Sequence, residues 1–113
     1  MRSPMKVNTA AITTQGIKFS LVENNLEVAR AYLYFMHNGL HQEPFGLLED
    51  VFVAQSHRGE GLGTKLIEQV IQAAKQHGCY KLIATSRTSR PKVHQLYKRL
   101  SFQEQGIEFR IDF

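Results

Sequence analysis

Three glycines at alternate positions, Gly59, Gly61 and Gly63, stand between a run of strand-forming residues ending at Val53 and an amphipathic pattern that begins at Gly61. Glycine inside a helix costs roughly 1 kcal/mol per residue, so three of them at a helix start signal a backbone put to some use. Glycine lets the main chain approach a ligand closely and take positive φ, and successive N–H groups then converge on an anion at the positive end of the helix dipole. The segment Gln55-Ser56-His57-Arg58-Gly59-Glu60-Gly61-Leu62-Gly63-Thr64 therefore reads as a cradle for a pyrophosphate, with Arg58 adding a charge-assisted contact. Two other phosphate loops are excluded. Gly-x-x-x-x-Gly-Lys-Ser/Thr does not occur, and the dinucleotide fingerprint needs a third glycine where Thr64 stands.

The elements around this turn follow from periodicity. Ile17 to Val22 reads as a strand, Glu23-Asn24-Asn25 as a turn and Leu26 to Met36 as a longer strand, which makes a hairpin. Leu47 to Val53 reads as a third strand. From Gly61 to His77, Leu62, Leu66, Ile67, Val70, Ile71 and Ala74 recur at helical spacing until Gly78 stops the helix. Tyr80 to Thr85 is a short strand, Pro91 to Leu100 a second helix with proline in its first turn, and Ile107 to Phe113 a closing strand. The strand–helix–strand unit from Leu47 to Thr85 predicts a parallel pair with a right-handed crossover. The fold class is α/β in the broad sense (α+β): a mixed, mainly antiparallel central sheet with two main helices. Residues 1–15 read as an N-terminal arm and 16–113 as a single domain.

Composition narrows the function. Cys79 is the only cysteine, so no intrachain disulfide and no thiolate cluster is available, and its place between Gly78 and a strand start suits a small apolar side chain. His57 and His94 lack ligand spacing to another histidine, and no metal is expected. Neither a signal-peptide pattern nor a run long enough to span a membrane occurs, which predicts a cytoplasmic protein without a membrane partner. Fourteen Lys and Arg against ten Asp and Glu leave a net charge of +4, which favours an anionic partner. The basic residues between Arg87 and Arg99 carry no nucleic-acid fold signature, so nucleic acid is not the expected partner.

The stretch Leu48 to Leu66, with its strand, Arg-Gly-x-Gly-Leu-Gly loop and amphipathic helix, resembles the cofactor motif of the GCN5-related N-acetyltransferases, and Arg58, Gly61 and Gly63 meet the family's Arg-x-x-Gly-x-Gly pattern. The run from His94 to Phe102 resembles the family's late helix and following strand, with Ser101 in place of the usual glycine. Glu49-Asp50-Val51 and Cys79-Tyr80-Lys81 are also similar to glucosamine-6-phosphate N-acetyltransferases, from which Arg87 to Tyr97 departs. The resemblance implies an acyl-CoA N-acyltransferase-like fold and acetyl-CoA as acyl donor. It also implies donor contacts from Val51, Phe52, Val53, Arg58, Gly59, Glu60, Gly61, Leu62, Gly63 and Thr64.

Acetyl transfer to an amine needs a base for the nucleophile and an acid for the departing thiolate. Tyr97 matches by motif the family tyrosine that protonates the thiolate. Glu49 and Asp50 are the candidate bases, of which at most one should face the site unless a β-bulge intervenes. Arg87 and Arg90 are candidates for contact with the donor's phosphates or an anionic acceptor. Family members carry a strand and two helices before the hairpin that wall the acceptor pocket, and fifteen residues are too few for them. Either the acceptor site is open or a second subunit completes it, and a homodimer is the expectation. The acceptor is a small-molecule or peptide amine. The alternative is a non-catalytic module of the same fold that binds acyl-CoA without turnover.

Overall fold

The computed structural model describes residues 3–87 and 89–113. Four strands, β1 (Gln15–Glu23), β2 (Leu26–Met36), β3 (Phe45–Val53) and β4 (Leu82–Ala84), form one sheet in the order β1-β2-β3-β4. The first three are antiparallel neighbours, and β4 lies parallel to β3 as the strand–helix–strand reading requires. The helix α1 (Leu62–Gln76) follows β3, and α2 (Pro91–Arg99) follows β4. A short 3₁₀ turn, Gln55–His57, joins β3 to the loop before α1.

The β1–β2 hairpin turns on Asn24 and Asn25, both at positive φ (53° and 64°), the signature of a two-residue type I′ connection. Strand β2 sets the core. Its alternate residues Ala29, Ala31, Leu33 and Phe35 are buried together with Leu48 of β3 and the inner stripe of α1, Leu66, Ile67, Val70 and Ala74. Two alanines on that face let α1 lie close over β2. The opposite face presents Arg30, Tyr32 and Tyr34, with Lys18 and Glu49 paired across from Tyr32.

The closing strand expected at Ile107 to Phe113 is not formed. Residues 103–113 belong to no element and are exposed throughout, as is the arm 3–14. These ends accompany extents of 67 × 29 × 29 Å and a radius of gyration of 17.5 Å, where a compact chain of this length has about 13 Å. The segment has strand composition, but a strand forms only where a neighbour accepts its main-chain hydrogen bonds. No helix among the described residues is long and apolar enough to cross a membrane.

Candidate active site

Strand β3 carries the centre of the site, and its sequence explains its shape. Leu48 points into the core, and so do Val51 and Val53, although 48 and 51 differ in parity. A regular strand cannot satisfy both. The conflict is resolved by a bulge: Arg30 pairs with Phe52 and Tyr32 with Glu49, so that Ala31 alone faces Asp50 and Val51. Asp50 takes the irregular conformation, with φ of 53°. The parity switch around two adjacent carboxylates was the sequence signal for this bulge.

The bulge gives the two carboxylates different surroundings. Asp50 accepts hydrogen bonds from Arg30 Nε at 2.8 Å and Nη2 at 3.3 Å, and the Arg30 guanidinium, itself stacked 4.5 Å from the Phe52 ring centre, holds the Asp50 carboxyl below its ordinary range. Glu49 is exposed and has no such partner among the described residues. Burial pushes the Tyr97 phenol above its usual value, and the nearby Glu49 charge adds to the rise. The Glu49 charge thus reaches Tyr97 of α2, whereas the Asp50 carboxylate is held by Arg30 of β2.

Beyond the bulge, β3 loses its neighbour. The β3–β4 ladder runs only from Gly46 to Leu48 against Leu82 to Ala84. No rung joins the strands beyond Leu48 and Ala84, so the main chain of the half-buried Val51, Phe52 and Val53 has no ladder partner on that side, an unpaired stretch here called the notch. At its far end lies the glycine loop. Gly59 and Gly61 have φ of 86° and 79°, conformations that L side chains rarely adopt. Gly61 is the N-cap of α1, no side chain caps the helix, and its first turn has no acidic residue. Lys65 N–H, bonded to Gly61 O at 3.0 Å, makes the first helical hydrogen bond, so the amides of Leu62, Gly63 and Thr64 have no helical acceptor.

These amides border a groove of about 550 Å³ whose opposite wall is one face of α2, Lys92, Gln95, Leu96 and Arg99. The lining includes His57, Arg58, Lys92 and Arg99 and no carboxylate. Arg58 Nε donates to Val53 O at 3.0 Å, which ties the loop to the end of β3. The His57 ring lies 2.8 Å from Ser56 Oγ and 3.3 Å from a Glu23 carboxylate oxygen, anchoring the loop to the β1–β2 turn.

Of the expected donor contacts, Val53, Arg58, Gly59, Gly61, Leu62, Gly63 and Thr64 line the groove, Val51 and Phe52 follow the notch, and Glu60 lies outside the lining. Arg87 and Arg90 are exposed and do not line it either. Arg87 instead offers its carbonyl oxygen to the His94 ring at 2.8 Å. Lys92 and Arg99 take the place sequence reasoning had given to them, and only the i, i+3, i+4, i+7 spacing of 92, 95, 96 and 99 hinted at it.

Tyr97 is held by the end of its own helix. Phe102 N–H bonds Tyr97 O at 3.0 Å and Ser101 N–H bonds Lys98 O at 3.1 Å, while the Phe102 and Tyr97 rings lie 5.2 Å apart. This is a Schellman closure with its apolar contact. It demands a left-handed residue, and Ser101, at φ of 74°, stands where glycine is usual in the motif.

A model of the acetyltransferase (GNAT) family matches residues 10–102. The chain is similar to a probable glucosamine 6-phosphate N-acetyltransferase 2 of Oryza sativa subsp. japonica, at 35% identity over 68 residues, 60% of this chain and 39% of that protein. It is 34% identical over 67 residues to an aminoglycoside N(6')-acetyltransferase type 1 of Acinetobacter haemolyticus, 59% of this chain and 46% of that one. The chain thus spans less than half the length of these curated relatives. Among solved structures, an aminoglycoside N-acetyltransferase in complex with CoA shares the fold, with a TM-score of 0.68 and 23% identity over 85% of this chain and 75% of that one.

Proposed function

Because the chain belongs to the acetyltransferase (GNAT) family, we propose that it transfers an acetyl group from acetyl-CoA to a primary amine of a small molecule, by direct attack and without a covalent enzyme intermediate. The observation that carries this reading is the meeting of the uncapped start of α1 with a cationic groove that Val53, at the end of β3, also lines.

The residues present fit the donor. The amides of Leu62, Gly63 and Thr64, with Arg58, suit a pyrophosphate, and Lys92 and Arg99 add positive charge across the groove. Main-chain groups of Val51, Phe52 and Val53 on the notch side suit the amide-bearing arm of the coenzyme. The donor supplies an activated thioester carbonyl, and the chain supplies the proton traffic. An acceptor ammonium with a pKa near ~10 must lose a proton before it attacks, and Glu49 takes that proton directly or through water. Main chain at the bulge polarises the carbonyl oxygen. As the new C–N bond forms and the C–S bond breaks, the Tyr97 phenol gives its proton to the sulfur. Asp50, already committed to Arg30, is the poorer base.

The two relatives are named for amine-bearing sugars as acceptors. The face beside Glu49 supports an acceptor of that class, because Tyr32 and Tyr34 stack there at 6.1 Å with an interplanar angle of 4°. A non-catalytic acyl-CoA module is favoured by one observation, the exposed position of Glu49 and Asp50.

Calorimetric titration with acetyl-CoA tests the donor, repeated on Gly61→Glu, whose side chain at positive φ blocks the cradle. Micromolar binding lost in the variant supports the proposal, and no binding by the wild type overturns it. A screen of amino sugars with Glu49→Gln alongside separates the two readings, since turnover that falls in that variant excludes a module without catalysis.

A further inference from the structure

The chain of ion pairs that ends on Asp50 is more elaborate than an exposed surface contact requires. Arg30 is gripped on three sides. Its Nε and Nη2 donate to the two Asp50 carboxylate oxygens at 2.8 and 3.3 Å, its guanidinium lies 4.5 Å from the Phe52 ring centre, and its Nη1 is 3.6 Å from a Glu27 carboxylate oxygen. Glu27 is in turn held from β1, by Lys18 Nζ at 2.7 Å and by Ser20 Oγ at 3.1 Å. Side chains from three strands thus converge on one residue. The Arg30 and Asp50 side chains are 30% and 52% exposed, and pairs so placed add little to stability, because solvent screens them and side-chain entropy opposes them. What the network does fix is a geometry.

That geometry is the one the ladders leave loose. Asp50 and Val51 have no register partner in β2, and no rung joins them to β4. Strand residues are ordinarily oriented by a neighbour on at least one side. Here the peptide between 50 and 51 has neither, and Asp50 holds φ of 53°, in a region uncommon for residues with a Cβ. A carboxylate that accepts both of its bonds from one guanidinium is fixed in plane as well as in distance. Lysine would supply the charge without the fork. The Asp50 side chain therefore anchors its own main chain, and Arg30 anchors Asp50.

We propose that Arg30 is a positioning residue for the reaction: through the Asp50 carboxylate it sets the direction of the Asp50–Val51 peptide, and with it the main chain offered to the acetyl carbonyl and the placement of the adjacent Glu49. This role rests on the acetyl-transfer reading. It gives the two neighbouring carboxylates separate tasks, Glu49 taking the proton and Asp50 holding the bulge in shape. Neither Arg30 nor Asp50 lines the phosphate groove, so the role is separable from donor binding.

Arg30→Lys, which keeps the charge and removes the fork, is the variant that tests it. Thiol release from acetyl-CoA with glucosamine as the amine is expected to fall roughly thirtyfold in kcat, the size of loss a small misplacement causes. The calorimetric dissociation constant for acetyl-CoA should stay within about twofold, and the melting temperature should move by no more than about 4 °C. The fall should be uniform across pH and leave the acid limb of kcat in place, as a displaced peptide does and an altered charge near the base does not. In the amide NMR spectrum the resonances of residues 50 and 51 should shift while those of the buried Leu33 and Val70 stay. Adding Asp50→Asn to Arg30→Lys should cost no further activity, since both act through one contact. Wild-type kcat in Arg30→Lys overturns this role alone. So does a loss that appears wholly as weaker acetyl-CoA binding or as a moved acid limb, or one that adds to that of Asp50→Asn. A wild type that binds acetyl-CoA yet acetylates no amino sugar overturns the reaction, and the role of Arg30 falls with it.

Discussion

Both helices end on a residue in the left-handed conformation, Gly78 after α1 at φ of 74° and Ser101 after α2 at the same angle. Both close with the same pair of hydrogen bonds, Cys79 N–H to Ala74 O and Gly78 N–H to Lys75 O in α1, Phe102 N–H to Tyr97 O and Ser101 N–H to Lys98 O in α2. What differs is the seat. Helix α1 buries Leu66, Ile67, Val70 and Ala74, whereas no residue of α2 is buried. The helix with the deep seat presents backbone amides to the groove. The helix with the shallow seat presents the side chains of Lys92 and Arg99 to the groove, while its Leu96 and Tyr97 only lean on the core without being buried in it. Burial is thus divided unequally between two helices of the same sheet, and the proposed proton donor lies on the shallower one.

The division can be tested first where it is steepest. Ile67→Ala empties a fully buried position and should lower unfolding free energy by about 3 kcal/mol, against about 1 kcal/mol for Leu96→Ala on α2, read by urea denaturation. Equal losses would mean that α2 is seated as firmly as α1. Next comes Tyr97→Phe, which should lower kcat roughly a hundredfold with unchanged acetyl-CoA affinity. If Tyr97 is the acid, its raised phenol should keep the alkaline limb of kcat above the ordinary tyrosine range, and loss of activity well below that range would remove Tyr97 from the role.

Smaller effects sharpen the comparison at the caps. Ser101→Gly should stabilise the chain by about 0.5–1 kcal/mol, and Gly78→Ser should cost a similar amount, in thermal melts. A melting temperature unmoved by Ser101→Gly would show that the serine is unstrained. The smallest effect concerns the bulge. The folded Asp50 carboxyl is held below its unfolded value, so its contribution is present above the ordinary carboxylate range and lost as pH falls through the folded value. Asp50→Asn, which tolerates the left-handed conformation, should flatten that acid limb of the stability profile by lowering the neutral plateau slightly toward the acid value, read by urea denaturation across pH.

Much of the fold was legible because burial and period agree in it. The bounds of β2 match the expected Leu26 to Met36, and α1 differs by one residue at each end from the Gly61 to His77 pattern. The closing strand was misread because alternation at 107–113 reports a capacity to pair and says nothing of the partner. The loop glycines were legible because positive φ leaves a compositional mark. The position of Asp50 was not, since a bulge is written as a change of parity rather than as a residue type. The α2 wall was hidden for a related reason: Lys92 and Arg99 read as a solvated face until the direction of the helix is known.

The β3–β4 pair is pinned at one end, where Tyr80 N–H bonds Pro44 O and Gly46 N–H bonds Lys81 O, and has no rung at the other. The arm of the proposed donor would lie along this unpaired end of β3. No rung of the ladder has to break for it to do so. In the proposed reaction, release of the spent coenzyme is then governed by the grip of the loop on its phosphates and not by any breathing of the sheet. Salt concentration, which weakens the first and barely touches the second, becomes the natural control on how quickly the site empties.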